Sequence, residues 1–125
     1  MHQGERTLSG GEAEKLALNY LKKQGLHLLA CNFRTTRGEI DLVMKDNDQL
    51  VFVEVRFRQH SAYGSAAESI TQQKCQRLTA AAQAYLQEQK LTNKMSARFD
   101  AVAISPAGVN SRSNFTINWI KNILQ

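Results

Sequence analysis

The chain has few residues that could ligate zinc: two cysteines, Cys31 and Cys75, and three histidines, His2, His27 and His60, in 125 residues. The cysteines are far apart and lack metal-ligand spacing, and the histidines are scattered, which argues against a zinc site. Reduced, partly buried thiols in the cytoplasm are the expectation. No stretch is long or apolar enough to span a membrane, and no N-terminal run has the form of a signal peptide. There is no Walker-A loop, so ATP hydrolysis by this chain alone is not expected. Trp119 and a few tyrosines are the only stacking platforms. In so short a chain that places glycoside hydrolysis low among the uses of paired carboxylates. Internal repeats, low-complexity tracts and domain boundaries are all absent.

What is present is an ordinary globular balance, 42% hydrophobic and 22% charged residues, with a net charge of +5. The length suits one domain with a single core. A loose, polar N-terminus over residues 1–8 and one domain over residues 9–125 are expected. The moderate positive charge favours a polyanionic partner.

Ser9-Gly10-Gly11-Glu12 has the S-x-x-E form of a capping box. The helix it opens carries Ala13, Leu16, Ala17, Tyr20 and Leu21 on one face, and Gly25 is placed to end it. Leu26 to Arg34 reads as a first strand. Gly38 to Met44 and Val51 to Phe57 read as two more, joined by the polar turn Asp46-Asn47-Asp48. After a loop from Gln59 to Ser65, a second helix is expected from about Ile70 to Gln89, with Leu78, Ala81, Ala82, Tyr85 and Leu86 as its apolar stripe. Arg98 to Ile104 is a fourth strand, Ser105-Pro106-Ala107-Gly108 a turn, and Phe115 to Trp119 a short fifth strand. The order α-β-β-β-α-β-β predicts an α/β fold, one mixed sheet flanked by two helices, with a parallel crossover through the second helix.

The hairpin carries the chemistry. Asn47-Asp48 suits a two-residue loop because both residues tolerate positive φ. Centring the turn there pairs Asp46 with Gln49, Met44 with Val51, Leu42 with Val53 and Ile40 with Val55, a continuous apolar face. The other face pairs Val43 with Phe52, Asp41 with Glu54 and Glu39 with Arg56. A slip of one residue would set apolar side chains against charged ones. Opposed residues on one face have Cβ atoms about 4.5–5.5 Å apart, where like charges repel. Two readings stand level. Asp41 and Glu54 either share a divalent cation such as Mg²⁺, which takes one or two carboxylates and keeps its waters, or they belong to a solvated face with Glu39–Arg56 as a surface ion pair.

Gly11-Glu12, Asn32 with Arg34, Gly38-Glu39-Ile40-Asp41-Leu42, Phe52-Val53-Glu54-Val55-Arg56, Tyr63-Gly64 and Arg98-Phe99-Asp100 together resemble the YraN family of small bacterial proteins. That family is similar to Holliday-junction resolvases of the restriction-endonuclease-like, or P-D-(D/E)-x-K, superfamily. The resemblance runs from about Gly11 to Trp119. It implies the restriction-endonuclease-like α-β-β-β-α-β core and Mg²⁺ (or Mn²⁺) as cofactor. Asp41 and Glu54 match the metal-binding carboxylates, the Val55 carbonyl a further ligand, and Glu12 the first-helix glutamate. Arg56 stands where the superfamily has lysine, and Ile40 stands where it has proline. Lysine sheds its proton when buried and arginine does not, so Arg56 is suited to orient water or stabilise charge and not to act as a base.

Lys74, near the start of the second helix, is the candidate for the missing mobile ammonium; otherwise it is a solvated first-turn lysine. Glu12 is either a metal ligand or simply the capping-box residue. Arg34, Arg37, Arg58 and Arg77 either frame a phosphate-binding mouth with Arg56 and Lys74 or scatter over the surface. Asp100, beside Arg98, is expected in a local pair or as a sheet-edge charge. The expected function is nucleic-acid binding, with Mg²⁺-dependent cleavage of structured or branched DNA. The alternatives are a binding module without turnover and a protein-interaction domain. No membrane partner is expected, and related resolvases act as dimers, which points to a homodimer.

Overall fold

A computed structural model describes residues 8–58, 71–108 and 114–124. Seven elements follow in the expected order: α1 (Gly10–Lys23), β1 (His27–Arg34), β2 (Glu39–Asp46), β3 (Gln49–Phe57), α2 (Gln72–Glu88), β4 (Ser96–Pro106) and β5 (Phe115–Ile120). The strands form one sheet in the order β1-β2-β3-β4-β5. Only the β3–β4 pair is parallel. It is bridged by α2, because parallel neighbours need a long crossover. The expected Gln59–Ser65 loop, the Tyr63-Gly64 pair, Ile70 and all of the N-terminal stretch except Leu8 lie outside the described residues.

The helix ends form for local reasons. Ser9 Oγ accepts the Glu12 N–H at 3.1 Å, and the Glu12 carboxylate accepts the Ser9 N–H at 3.0 Å, which closes the capping box. Gly25 follows the C-cap with φ +100°, a backbone that favours glycine. Thr71 caps α2 by accepting the Lys74 N–H.

The sheet divides two apolar clusters. On one side α1 buries Ala13, Ala17 and Leu21 against Leu42, Met44, Val51, Val53, Val102 and Ile104. On the other, α2 buries Leu78, Ala81, Ala82 and Tyr85 against Ile40, Val43, Leu50 and Phe52. Leu50, Val51, Phe52 and Val53 alternate strictly between the two clusters, as a period of two demands. The helices therefore cover opposite faces.

The hairpin register is as expected from Asp46↔Gln49 to Leu42↔Val53, where the ladder stops. One expectation fails there. Ile40 does not share a face with Leu42 and Met44; it packs in the α2-side cluster with Val43. The alternation of β2 therefore slips at Asp41. The neighbouring strand slips with it: Ala30 and Phe33, three residues apart, both pack on the α2 side, and between them Asn32 adopts φ 50°. Asparagine tolerates this left-handed backbone better than most residues.

Two further differences concern the C-terminal half. Ser105 and Pro106 continue β4 instead of turning, because Thr116 and Phe115 of β5 pair with them. Asp100 is not an edge charge, since β4 lies inside the sheet and the side chain is fully buried. Its carboxylate receives the Arg98 Nε–H at 3.1 Å from each oxygen, the Trp119 indole N–H at 2.9 Å and the Asn122 backbone N–H at 3.0 Å. Arg98 also donates to Gln49 at 2.8 Å and to Asp46 at 2.9 Å. Burial works against the Arg98 charge, but the hydrogen bonds and charges of Asp46 and Asp100 outweigh it and hold its pKa above the usual value.

Candidate functional site

A cleft of about 520 Å³ lies between the β1–β2 turn and the start of α2. Its walls are Arg34 to Glu39 on one side and Thr71, Gln73, Lys74, Arg77 and Leu78 on the other, with Glu54 of β3 also lining it. Four cations, Arg34, Arg37, Lys74 and Arg77, thus surround two carboxylates, Glu39 and Glu54.

Local chemistry builds each wall. In the turn, Thr35 Oγ1 accepts the N–H groups of Arg37 and Gly38 at 3.1 Å and donates to the Gly38 carbonyl. This self-contained turn presents Arg34 and Arg37. Gly38 also lets α2 approach, because a Cβ there would collide with the Arg77 carbonyl. Thr71 fixes the first turn of α2 and with it the backbone of Lys74.

Glu54 is buried, and its carboxylate is held by two cations. Lys74 Nζ lies 2.6 Å from Oε1, and Arg56 Nε lies 3.7 Å from the same oxygen. Arg56 Nε is itself buried without a hydrogen-bond acceptor. The expected Glu39–Arg56 pair does not form. Glu39 pairs with Arg34 across β1–β2 at 3.2 Å, with both side chains exposed.

Asp41 stands where the β2–β3 ladder ends. Its carboxylate accepts the Val55 N–H at 2.8 Å, a bond that runs from side chain to backbone across the strands. Burial raises its pKa from 3.8 to about 7. The Val55 hydrogen bond opposes that shift, and the charges of Glu54, Glu14 and Glu39 add to it.

The structure therefore brings Glu54, Lys74, Arg34, Arg37 and Arg77 together around one cleft. Asp41, Arg56, Arg58 and Glu12 are not among its lining residues. Glu12 is occupied by the capping box, and its hydrogen bonds with Ser9 lower its pKa. The first-helix carboxylate whose charge adds to the Asp41 shift is Glu14, a residue not among those expected at the site. A signal for it was present, since a capping box consumes Glu12 and leaves Glu14 as the other glutamate of the same helix start.

Among the described residues, no three His, Cys, Asp or Glu side chains form a group able to hold a metal. A hydrated Mg²⁺ asks for less, one or two carboxylates beside its waters. Asp41 and Glu54, close enough for one to raise the pKa of the other, fit that demand. Burial is the main cause of the Asp41 shift, and a divalent cation would relieve the smaller part that the charges of Glu54, Glu14 and Glu39 add. No helix among the described residues is long and apolar enough to cross a membrane.

Comparison with known proteins gives a consistent result. A family model described as Uncharacterised protein family UPF0102 matches residues 13–104. UPF0102 proteins of Pseudomonas fluorescens and Pseudomonas savastanoi are 46% and 44% identical over 122 residues, which is 98% of this chain and 97% of each relative. A UPF0102 protein of Alkalilimnicola ehrlichii is 51% identical over 94 residues, 75% of either chain.

Proposed function

This chain belongs to Uncharacterised protein family UPF0102, and from its own cleft we propose that it binds nucleic acid and acts as a Mg²⁺-dependent endonuclease on structured or branched DNA. The observation that carries this reading is the cleft in which Arg34, Arg37, Lys74 and Arg77 surround Glu54, with Asp41 held near neutrality beside it. A carboxylate site that must admit a phosphate needs such a basic rim to offset repulsion.

Each side chain has a distinct task. Arg34, Arg37 and Arg77 hold phosphate oxygens with planar, bidentate forks. Asp41, Glu54 and the Val55 carbonyl are the groups that would hold Mg²⁺, and Glu14 takes the supporting place first assigned to Glu12. The bound metal would supply an activated water and polarise the scissile phosphate. Arg56, held beside Glu54, orients and neutralises but does not take a proton. Lys74 is the mobile ammonium of the site. A cytoplasmic location, expected from reduced thiols, and a homodimer, implied by the resemblance to junction resolvases, belong to this reading.

The test is incubation with junction, flap and single-stranded DNA in Mg²⁺ and Mn²⁺. Cleavage is expected on at least one substrate, lost with chelator and lost in Asp41→Ala. Cleavage that survives Asp41→Ala, or none on any substrate, counts against turnover. One observation favours a second reading, a binding module without turnover: Arg56 fills the lysine position. That reading expects salt-sensitive DNA binding without cleavage, and recovery of activity in Arg56→Lys. Absence of DNA binding at low salt removes both.

A further inference from the structure

Lys74 reaches the buried carboxylate of Glu54 from outside the sheet. Its backbone is pinned by Thr71, yet its side chain keeps 32% of its surface exposed while the Glu54 side chain keeps 10%. Both cations at Glu54 converge on the single oxygen Oε1. Arg56 shares a strand with Glu54, two residues away, and its position is set by the sheet. Lys74 reaches Glu54 from a different element on a flexible stem, as a compact point charge. Across the same cleft lie Arg34 and Arg37, and one turn along α2 lies Arg77. A phosphate bound among these arginines is an alternative partner for the ammonium.

We infer that Lys74 competes with a divalent cation for Glu54, exchanging the carboxylate for a phosphate when the cation enters. This deepens the cleft assignment and rests on it. A doubly charged ion at Oε1 repels the ammonium, which moves to the anion across the cleft. The reverse also holds: a phosphate that draws Lys74 away leaves Oε1 open to the cation. By linkage each ligand tightens the other by the same factor. The basic cleft and the carboxylate pair thus act as one coupled device, and the metal is held firmly only when a nucleic-acid backbone is present.

The experiment is calorimetric Mn²⁺ titration of the full chain, alone and with a short DNA duplex as the phosphate probe, for wild type, Lys74→Met and Lys74→Arg. Without DNA, Lys74→Met is expected to bind Mn²⁺ about five-fold tighter or more, a factor typical of coupled sites. DNA should tighten Mn²⁺ binding in wild type and have little effect in Lys74→Met. Lys74→Arg, which keeps a cation at Glu54, should stay near wild type in the absence of DNA. A merely structural lysine predicts the opposite sign, since removing the group that holds Glu54 would weaken Mn²⁺ binding. Unchanged or weaker Mn²⁺ binding in Lys74→Met, in a variant whose circular dichroism matches wild type, overturns the competition. If Lys74→Met does not fold, Lys74→Gln carries the same comparison. Wild type that binds Mn²⁺ with or without DNA to the same degree also overturns it and leaves the cleft assignment standing. Wild type that binds neither Mn²⁺ nor DNA removes the assignment itself.

Discussion

Two polar clusters lie in this sheet, and they are built to opposite rules. Around Asp100 a buried carboxylate receives hydrogen bonds on both oxygens, and its arginine is matched in turn by Asp46 and Gln49. At the second, burial and the nearby charge of Glu54 raise the pKa of Asp41, and Arg56 Nε is buried without a hydrogen-bond acceptor. The first cluster is closed and explains itself as structure. The second is internally unbalanced, and that imbalance is what a cation on one side and a phosphate on the other would correct. Residual charge conflict in a cleft, more than the mere presence of charged residues, separates a candidate site from a structural network.

The sharpest way to break the comparison is to open the closed cluster. Asp100→Ala leaves the Arg98 Nε–H, the Trp119 N–H and the Asn122 N–H without their acceptor. A loss of about 3–5 kcal/mol is expected, the usual consequence of orphaning one partner of a buried pair, and urea unfolding measures it. Below its unfolding midpoint the variant should still bind DNA, because the cleft lies elsewhere.

The open cluster should respond with the other sign. The folded-state pKa of Asp41 is raised to about 7 from 3.8, so the folded protein keeps this proton over a range where the unfolded chain has lost it. Stability is therefore given up as pH climbs from about 4 to about 7, and the deficit is full above that window. Asp41→Asn removes the charge. In chelator it is expected to be more stable than wild type by on the order of 2–3 kcal/mol near pH 8, after allowance for solvent screening. The gain should shrink toward zero near pH 4. Paired urea titrations at the two ends of the window measure it. A variant that gains nothing at high pH would place Asp41 among the satisfied carboxylates.

The smallest expected effect concerns the wall of the cleft. Gly38→Ala forces a methyl group against the Arg77 carbonyl. A destabilisation of about 1–2 kcal/mol is expected for such local overpacking, together with weaker DNA binding as the β1–β2 turn and α2 separate. Thermal melts and a binding titration on the same sample check both parts.

Much of this was legible in the chain. Strict alternation from Leu50 to Val53 set the hairpin register, and Ser9, Glu12 and Gly25 marked the ends of α1 because capping is local chemistry. The slip at Asp41 was not legible. It depends on a carboxylate of β2 taking the backbone N–H of Val55 on the next strand, and no local propensity encodes that. The local pair of Arg98 with Asp100 was expected, but the other partners of Asp100, Trp119 and Asn122, join it only when β4 and β5 are assembled. Glu39 illustrates the limit on pairing by register: an arginine across β1–β2 reached it before Arg56 did. The capping box accounts for Glu12, and Glu14 is the α1 carboxylate whose charge adds to the Asp41 shift.

The irregular course of β1 has a consequence for how copies of this protein meet. β1 is an edge strand whose pairing shifts register between Leu28 and Ala30 and whose backbone turns left-handed at Asn32. A bulged, kinked edge offers no regular row of N–H and C=O groups to an incoming strand. It carries an exposed leucine, Leu29, and an exposed thiol, Cys31. The opposite edge, β5, is only six residues long. Among the described residues, both rims of the sheet thus offer only a short or irregular row of backbone groups to an incoming strand.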